Sequence, residues 1–113
     1  MSDLSSQSDQ FAERFKQEAL SIVKTVTSSS EETAVSRLLN EANLSEEQRT
    51  LVQRALEQGL LDALYTVLLA LDGEASIGGN QQSYVLYDES GNKIFEPGEL
   101  EESAWEAFYG DDT

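Results

Sequence analysis

The stretch "SYVLYDESGNKIFE" (residues 83–96) decides how this 113-residue chain is to be read. Upstream of it the apolar residues recur at helical spacing. Here two short runs rich in aromatic and branched residues flank "ESG", and Gly91 sits where a three-residue hairpin loop needs a left-handed residue. The spacing predicts an antiparallel β-hairpin over about 83–88 and 92–96, with Leu86 facing Ile94 and Val85 facing Phe95. A lone hairpin is only marginally stable in water, so one of its faces should lie on helices. The expected fold class is therefore α+β, mainly helical.

Working outward, Phe11, Phe15, Ala19, Ile22 and Val26 fall at offsets of four, four, three and four, an amphipathic helix with Ser8 or Asp9 as N-cap. Ser29 with Glu32 reads as the capping box of a second helix whose stripe is Val35, Leu38, Leu39 and Ala42, closed by a left-handed Asn43. Ser45 with Gln48 is a second capping signature, opening a long apolar run. Between 60 and 71 that run is apolar nearly all round, the pattern of a buried central helix. Gly59 marks a kink, a close approach or a break there. Pro97 and Gly98 precede a closing helix over about 99–109, with Leu100, Ala104, Ala107 and Phe108 on one face and Gly110 as its cap. Residues 1–7 read as a disordered tail and 8–110 as a single globular domain.

Composition excludes more chemistry than it offers. The chain has no histidine and no cysteine, so Ser-His-Asp and Cys-His catalysis and a thiolate or imidazole zinc site are ruled out. A cysteine-free chain suits a reducing compartment, and the first ten residues have neither a basic start nor an apolar core, so a cytoplasmic protein is expected. The longest mostly apolar stretch is too short to span a bilayer. Asp88, Ser90, Asn92, Glu96 and Glu99 match five calcium-loop positions, but Lys93 stands where glycine must turn and Pro97 interrupts the loop. "IGGNQQ" (Ile77–Gln82) lacks the lysine and hydroxyl of a phosphate cradle and reads as turn chemistry. No cofactor, no metal and no enzymatic activity are expected.

Charge is the one extreme feature. Seven Lys and Arg face 22 Asp and Glu, a formal net charge of −15. Residues 72–113 hold 11 acids and a single base, Lys93. Such a field repels nucleic acid and anionic membranes and steers a basic protein in. The candidate partner-binding residues are Tyr84, Tyr87, Glu99, Glu101, Glu102, Trp105, Glu106, Tyr109, Asp111 and Asp112: aromatic anchors within a ring of acids. The expectation is a non-catalytic acidic protein-binding module for a basic partner such as a nucleic-acid-handling protein, in the manner of an inhibitor, immunity or escort protein. The alternative is a structural domain that forms a homodimer through the apolar face of 60–71, its acidity serving only solubility.

Overall fold

The computed structural model describes residues 6–30 and 32–110. It contains four helices: α1 (Gln7–Val26), α2 (Ala34–Glu41), α3 (Glu46–Leu71) and α4 (Glu99–Tyr109). Helices α1 and α4 pack on α3 and on each other. The buried core is Ala12, Leu68, Ile94, Phe95, Leu100 and Ala104, flanked by Phe11, Phe15, Tyr65, Leu71, Leu86, Ala107 and Phe108. α2 packs on α1.

The α+β expectation is overturned: among the described residues there is no strand and no sheet, and the hairpin over 83–88 and 92–96 does not form. What remains is one isolated bridge between Tyr87 and Lys93 around a turn closed by the Asp88 amide donating to the Asn92 carbonyl (2.9 Å). Gly91 is left-handed there (φ 88°). The reason is packing. Ile94 and Phe95 are adjacent, yet both are buried in the same core. A pleated strand sends neighbours to opposite faces, so this segment cannot be a regular strand and still fill the core. Val85 stays 62% exposed, and Pro97 ends the segment by leading into α4.

Other boundaries moved for local reasons. α1 is capped by Ser6, not Ser8 or Asp9: the Ser6 hydroxyl accepts the Asp9 amide (3.1 Å) and the Asp9 carboxylate accepts the Ser6 amide (3.3 Å). Of the tail expected over 1–7, residues 1–5 lie outside the described residues, Ser6 is this cap and Gln7 opens the helix. The fully buried residues of α1 are Ser8, Ala12, Ala19 and Val23; of the expected stripe Ala19 is buried and Phe11 and Phe15 pack against the core, but Ile22 is exposed. Small residues at 12 and 19 let a neighbouring helix approach, while Phe11 and Phe15 meet beside them as a tilted pair with centroids 4.9 Å apart. α2 begins at Thr33 and Ser36, which cap each other reciprocally, rather than at Ser29 and Glu32. Asn43 is left-handed after it (φ 56°).

The Ser45–Gln48 capping box opens α3, which runs unbroken through Gly59 for 26 residues, about 39 Å at 1.5 Å per residue. It is not a helix buried on all sides. Of 60–71 only Leu68 and Ala70 are fully buried, because α1 and α4 cover one side and the other meets water. One side of the face expected to join two copies is therefore covered within the chain. α3 stops in a Schellman motif, with the Glu74 amide donating to the Leu69 carbonyl and the left-handed Gly73 amide to the Ala70 carbonyl.

Asp72, just past that end, positions α4. Gly98 has no side chain to cap the helix. Instead the buried Asp72 carboxylate accepts the Gly98 amide through Oδ1 and the Glu101 amide through Oδ2, both at 2.8 Å. The C-terminal end of α3 is thereby tied to the N-terminal end of α4, and the two helices run antiparallel.

Candidate functional site

The outward face of α4 carries Glu101, Glu102, Trp105, Glu106 and Tyr109, all exposed, because Leu100, Ser103 and Ala104 take the inward positions. Trp105 is 52% exposed and Tyr109 46% exposed. Tyr109 is held edge-on against Tyr65 (centroids 4.9 Å, 84°), and its hydroxyl donates to Asp62 on α3 (3.1 Å). Partial burial raises the Tyr109 pKa, and the Asp62 hydrogen bond raises it further. Tyr65 is raised in the same way, by burial and then by the negative charge of Glu101. Both phenols thus stay protonated and keep a donor near neutral pH. Trp105, four residues before Tyr109, has no ring partner among the described residues, so it stands as a free apolar anchor.

Along the flank of α4 that faces α1, sharing Glu106 with the outward face, runs an open groove of about 480 Å³ lined by Asp9, Glu13, Arg14, Glu106 and Ser103. It continues past Glu99 and Glu102 to Ser6. A hydroxyl relay forms its floor. Ser103 donates to Asp9 (2.7 Å), so its single proton is committed, and Ser8, 2.7 Å away, must donate to Ser103. The Ser103 hydroxyl, more than any other cause, holds the Asp9 carboxyl below its ordinary 3.8, with Ser6 adding to it against a smaller effect of burial. Ser8 and Ser103 are buried and joined to a carboxylate with no imidazole between, an arrangement that ties α1 to α4 and leaves no activated nucleophile.

The remaining candidate residues divide. Glu99 is half-buried, and its carboxylate accepts the Glu96 amide (2.9 Å). Tyr84 is half-buried, its amide donating to the Leu71 carbonyl and its hydroxyl accepting from Gln82 (2.9 Å). Tyr87 is exposed beside Lys93. No hydrogen bond or ring contact joins Tyr84 or Tyr87 to Trp105 or Tyr109. Asp111 and Asp112 lie outside the described residues.

The fold adds Asp9, Glu13 and Asp62 to the acidity that the linear order already shows over 72–113. α1 begins, α3 ends and α4 lies at one end of the bundle. Residues 6–14 and 59–110, which build that end, hold twelve carboxylates and two cations, net −10. The described residues of 15–58 hold six carboxylates and five cations, net −1. Asp9, Glu13 and Asp62 belong to the acidic surface but were absent from the sequence-derived candidates. Nothing in the sequence flags them until α1 and α3 are known to flank α4.

Among the described residues no group of three or more acidic side chains is arranged to hold a metal ion. No helix there is long and apolar enough to cross a membrane. No protein-family model matches the chain, and neither a curated protein nor a solved structure matches it significantly.

Proposed function

We propose that this chain is a non-catalytic acidic module that binds a basic protein partner. The observation that carries the reading is the outer face of α4, where Trp105 and Tyr109 stand exposed among Glu101, Glu102 and Glu106 at the net −10 end of the bundle. An aromatic anchor that can be fully desolvated, ringed by charge that accelerates encounter, is the composition of a protein-docking surface. The partner class that fits is a nucleic-acid-handling protein whose basic surface accepts carboxylates where phosphates would sit, so the module acts as an inhibitor, immunity-type or escort protein. Direct binding to nucleic acid or to an anionic membrane is disfavoured by the same field. The cysteine-free composition suits a reducing compartment, and the reading takes the module to be cytoplasmic.

The test is capture from source lysate on immobilised protein at low ionic strength, eluted in salt steps, with Trp105→Ala and Glu102→Lys/Glu106→Lys run beside the wild type. One stoichiometric basic protein, released by salt and lost with either variant, supports the reading. Retention of no basic protein by the wild type, or equal retention by all three, overturns it.

A further inference from the structure

The other end of the molecule has an uncovered face of its own. Its radius of gyration is 16.7 Å and its extents are 47 × 38 × 27 Å, whereas a compact chain of this length has about 13 Å. α4 starts at the Asp72 cap and reaches back to Asp62, so it covers only the C-terminal half of α3. On the N-terminal half, two open hollows of about 760 and 460 Å³ lie on either side of Leu51. Every residue lining them belongs to α3 itself, so among the described residues no other element closes this face. Leu51 stands between the hollows, 62% exposed.

We propose that this face receives a second copy of the same chain, with the two α3 helices antiparallel about a two-fold axis beside Leu51. Charge selects that occupant. A protein of net charge −15 repels its own copy, and only this end, with six carboxylates and five cations among the described residues of 15–58, lets two copies approach. The pattern is also self-complementary. Glu47, Leu51, Arg54 and Gln58 follow at spacings of four, three and four and share one helix face. Neither Glu47 nor Arg54 is in an ion pair within the described residues. The midpoint of 47 and 54 falls beside Leu51, so an antiparallel pair sets Glu47 against Arg54 of the partner subunit twice. Each Leu51 then enters a hollow of the other helix, as isologous symmetry requires. The acidic ends point away from each other, leaving two docking surfaces per dimer. The dimer does not depend on the partner-binding proposal.

Sedimentation velocity of the full chain across a concentration series tests this. The wild type should sediment as a dimer, and Leu51→Glu as a monomer with unchanged helical circular dichroism, its dimer Kd raised more than about tenfold. Glu47→Arg and Arg54→Glu should each weaken the dimer, and the two together should restore it. Raising salt from about 0.01 to about 0.15 M shortens the screening length from about 30 to about 8 Å and should favour the dimer, the reverse of its effect on a basic partner. A wild type that remains monomeric up to about 100 µM, or a Leu51→Glu protein that still dimerises, overturns the proposal. A double charge swap that stays monomeric overturns the antiparallel register. Partner capture should survive Leu51→Glu, and dimerisation should survive Trp105→Ala, so each proposal can fail alone.

Discussion

Replacing Asp72 by alanine tests the argument that one carboxylate ties the end of α3 to the start of α4. Asp72 is 4% exposed and accepts two backbone amides at 2.8 Å, from residues 26 and 29 positions later. A hydrogen bond to a charged group contributes about 1.5–3 kcal/mol net, and a lost N-cap alone costs about 0.5–2 kcal/mol. Both amides sit at the rim of α4, on residues that are themselves exposed, so water can reach them after truncation and the lower values apply. Removing a negative charge from the acidic end returns a few tenths of a kcal/mol. The net expectation for Asp72→Ala is a loss of about 2–3 kcal/mol, or a fall in Tm of roughly 10 °C for a domain of this size. Asp72→Asn keeps one acceptor but turns an amide donor toward the second N–H, and should lose about 1.5–2 kcal/mol. Glu74→Ala, an exposed carboxylate two residues away, should stay within about 0.5 kcal/mol of the wild type. Urea unfolding followed by circular dichroism measures all three, and amide exchange at Gly98 and Glu101 should accelerate in the Asp72 variants alone. If Asp72→Ala unfolds within about 0.5 kcal/mol of the wild type, α4 is held by its apolar face and the capping argument is wrong.

Two glycines should respond in opposite directions to alanine. Gly59 lies in the continuous body of α3 with no atom within 4 Å of an added Cβ, so Gly59→Ala should stabilise by about 0.5–1 kcal/mol. Gly98 has equally open surroundings but a left-handed backbone (φ 86°), so Gly98→Ala should destabilise by about 1–2 kcal/mol; thermal unfolding separates the two. The Asp9 carboxyl is depressed in the folded protein relative to its ordinary 3.8, chiefly by the Ser103 hydroxyl. Its contribution is therefore present above 3.8 and disappears as pH falls through the folded value. The urea midpoint of the wild type should exceed that of Asp9→Asn at about pH 6, and the gap should narrow as pH falls below 3.8. Trp105→Ala, the variant used for partner capture, should unfold within about 0.5 kcal/mol of the wild type, since Trp105 is half exposed and makes no ring contact.

The sequence by itself determined what depends on neighbours a few residues apart. The Ser45–Gln48 box marks the start of α3, Gly98 and Gly110 bracket α4 at 99–109, and Asn43 and Gly91 take the left-handed conformations their positions require. Each rests on a hydrogen bond or a backbone preference closed within about one turn of chain, so residue type and spacing suffice to read it. Even there competition misleads: Ser6, Ser8 and Asp9 are all competent caps for α1, and only reciprocal geometry selects Ser6. The hairpin failed for a different reason. Alternation over 83–96 describes what the backbone could do alone, but the core required Ile94 and Phe95 on the same side, and burial outweighed a marginal two-stranded ladder. Tertiary structure alone decided that Asp72 caps a helix 26 residues away, that Ser8 meets Ser103 across 95 residues, and that Asp9, Glu13 and Asp62 join the acids of α4. These pairings depend on which faces of separate helices meet. That is set by the summed packing of many side chains, and no single residue or spacing in the chain records it.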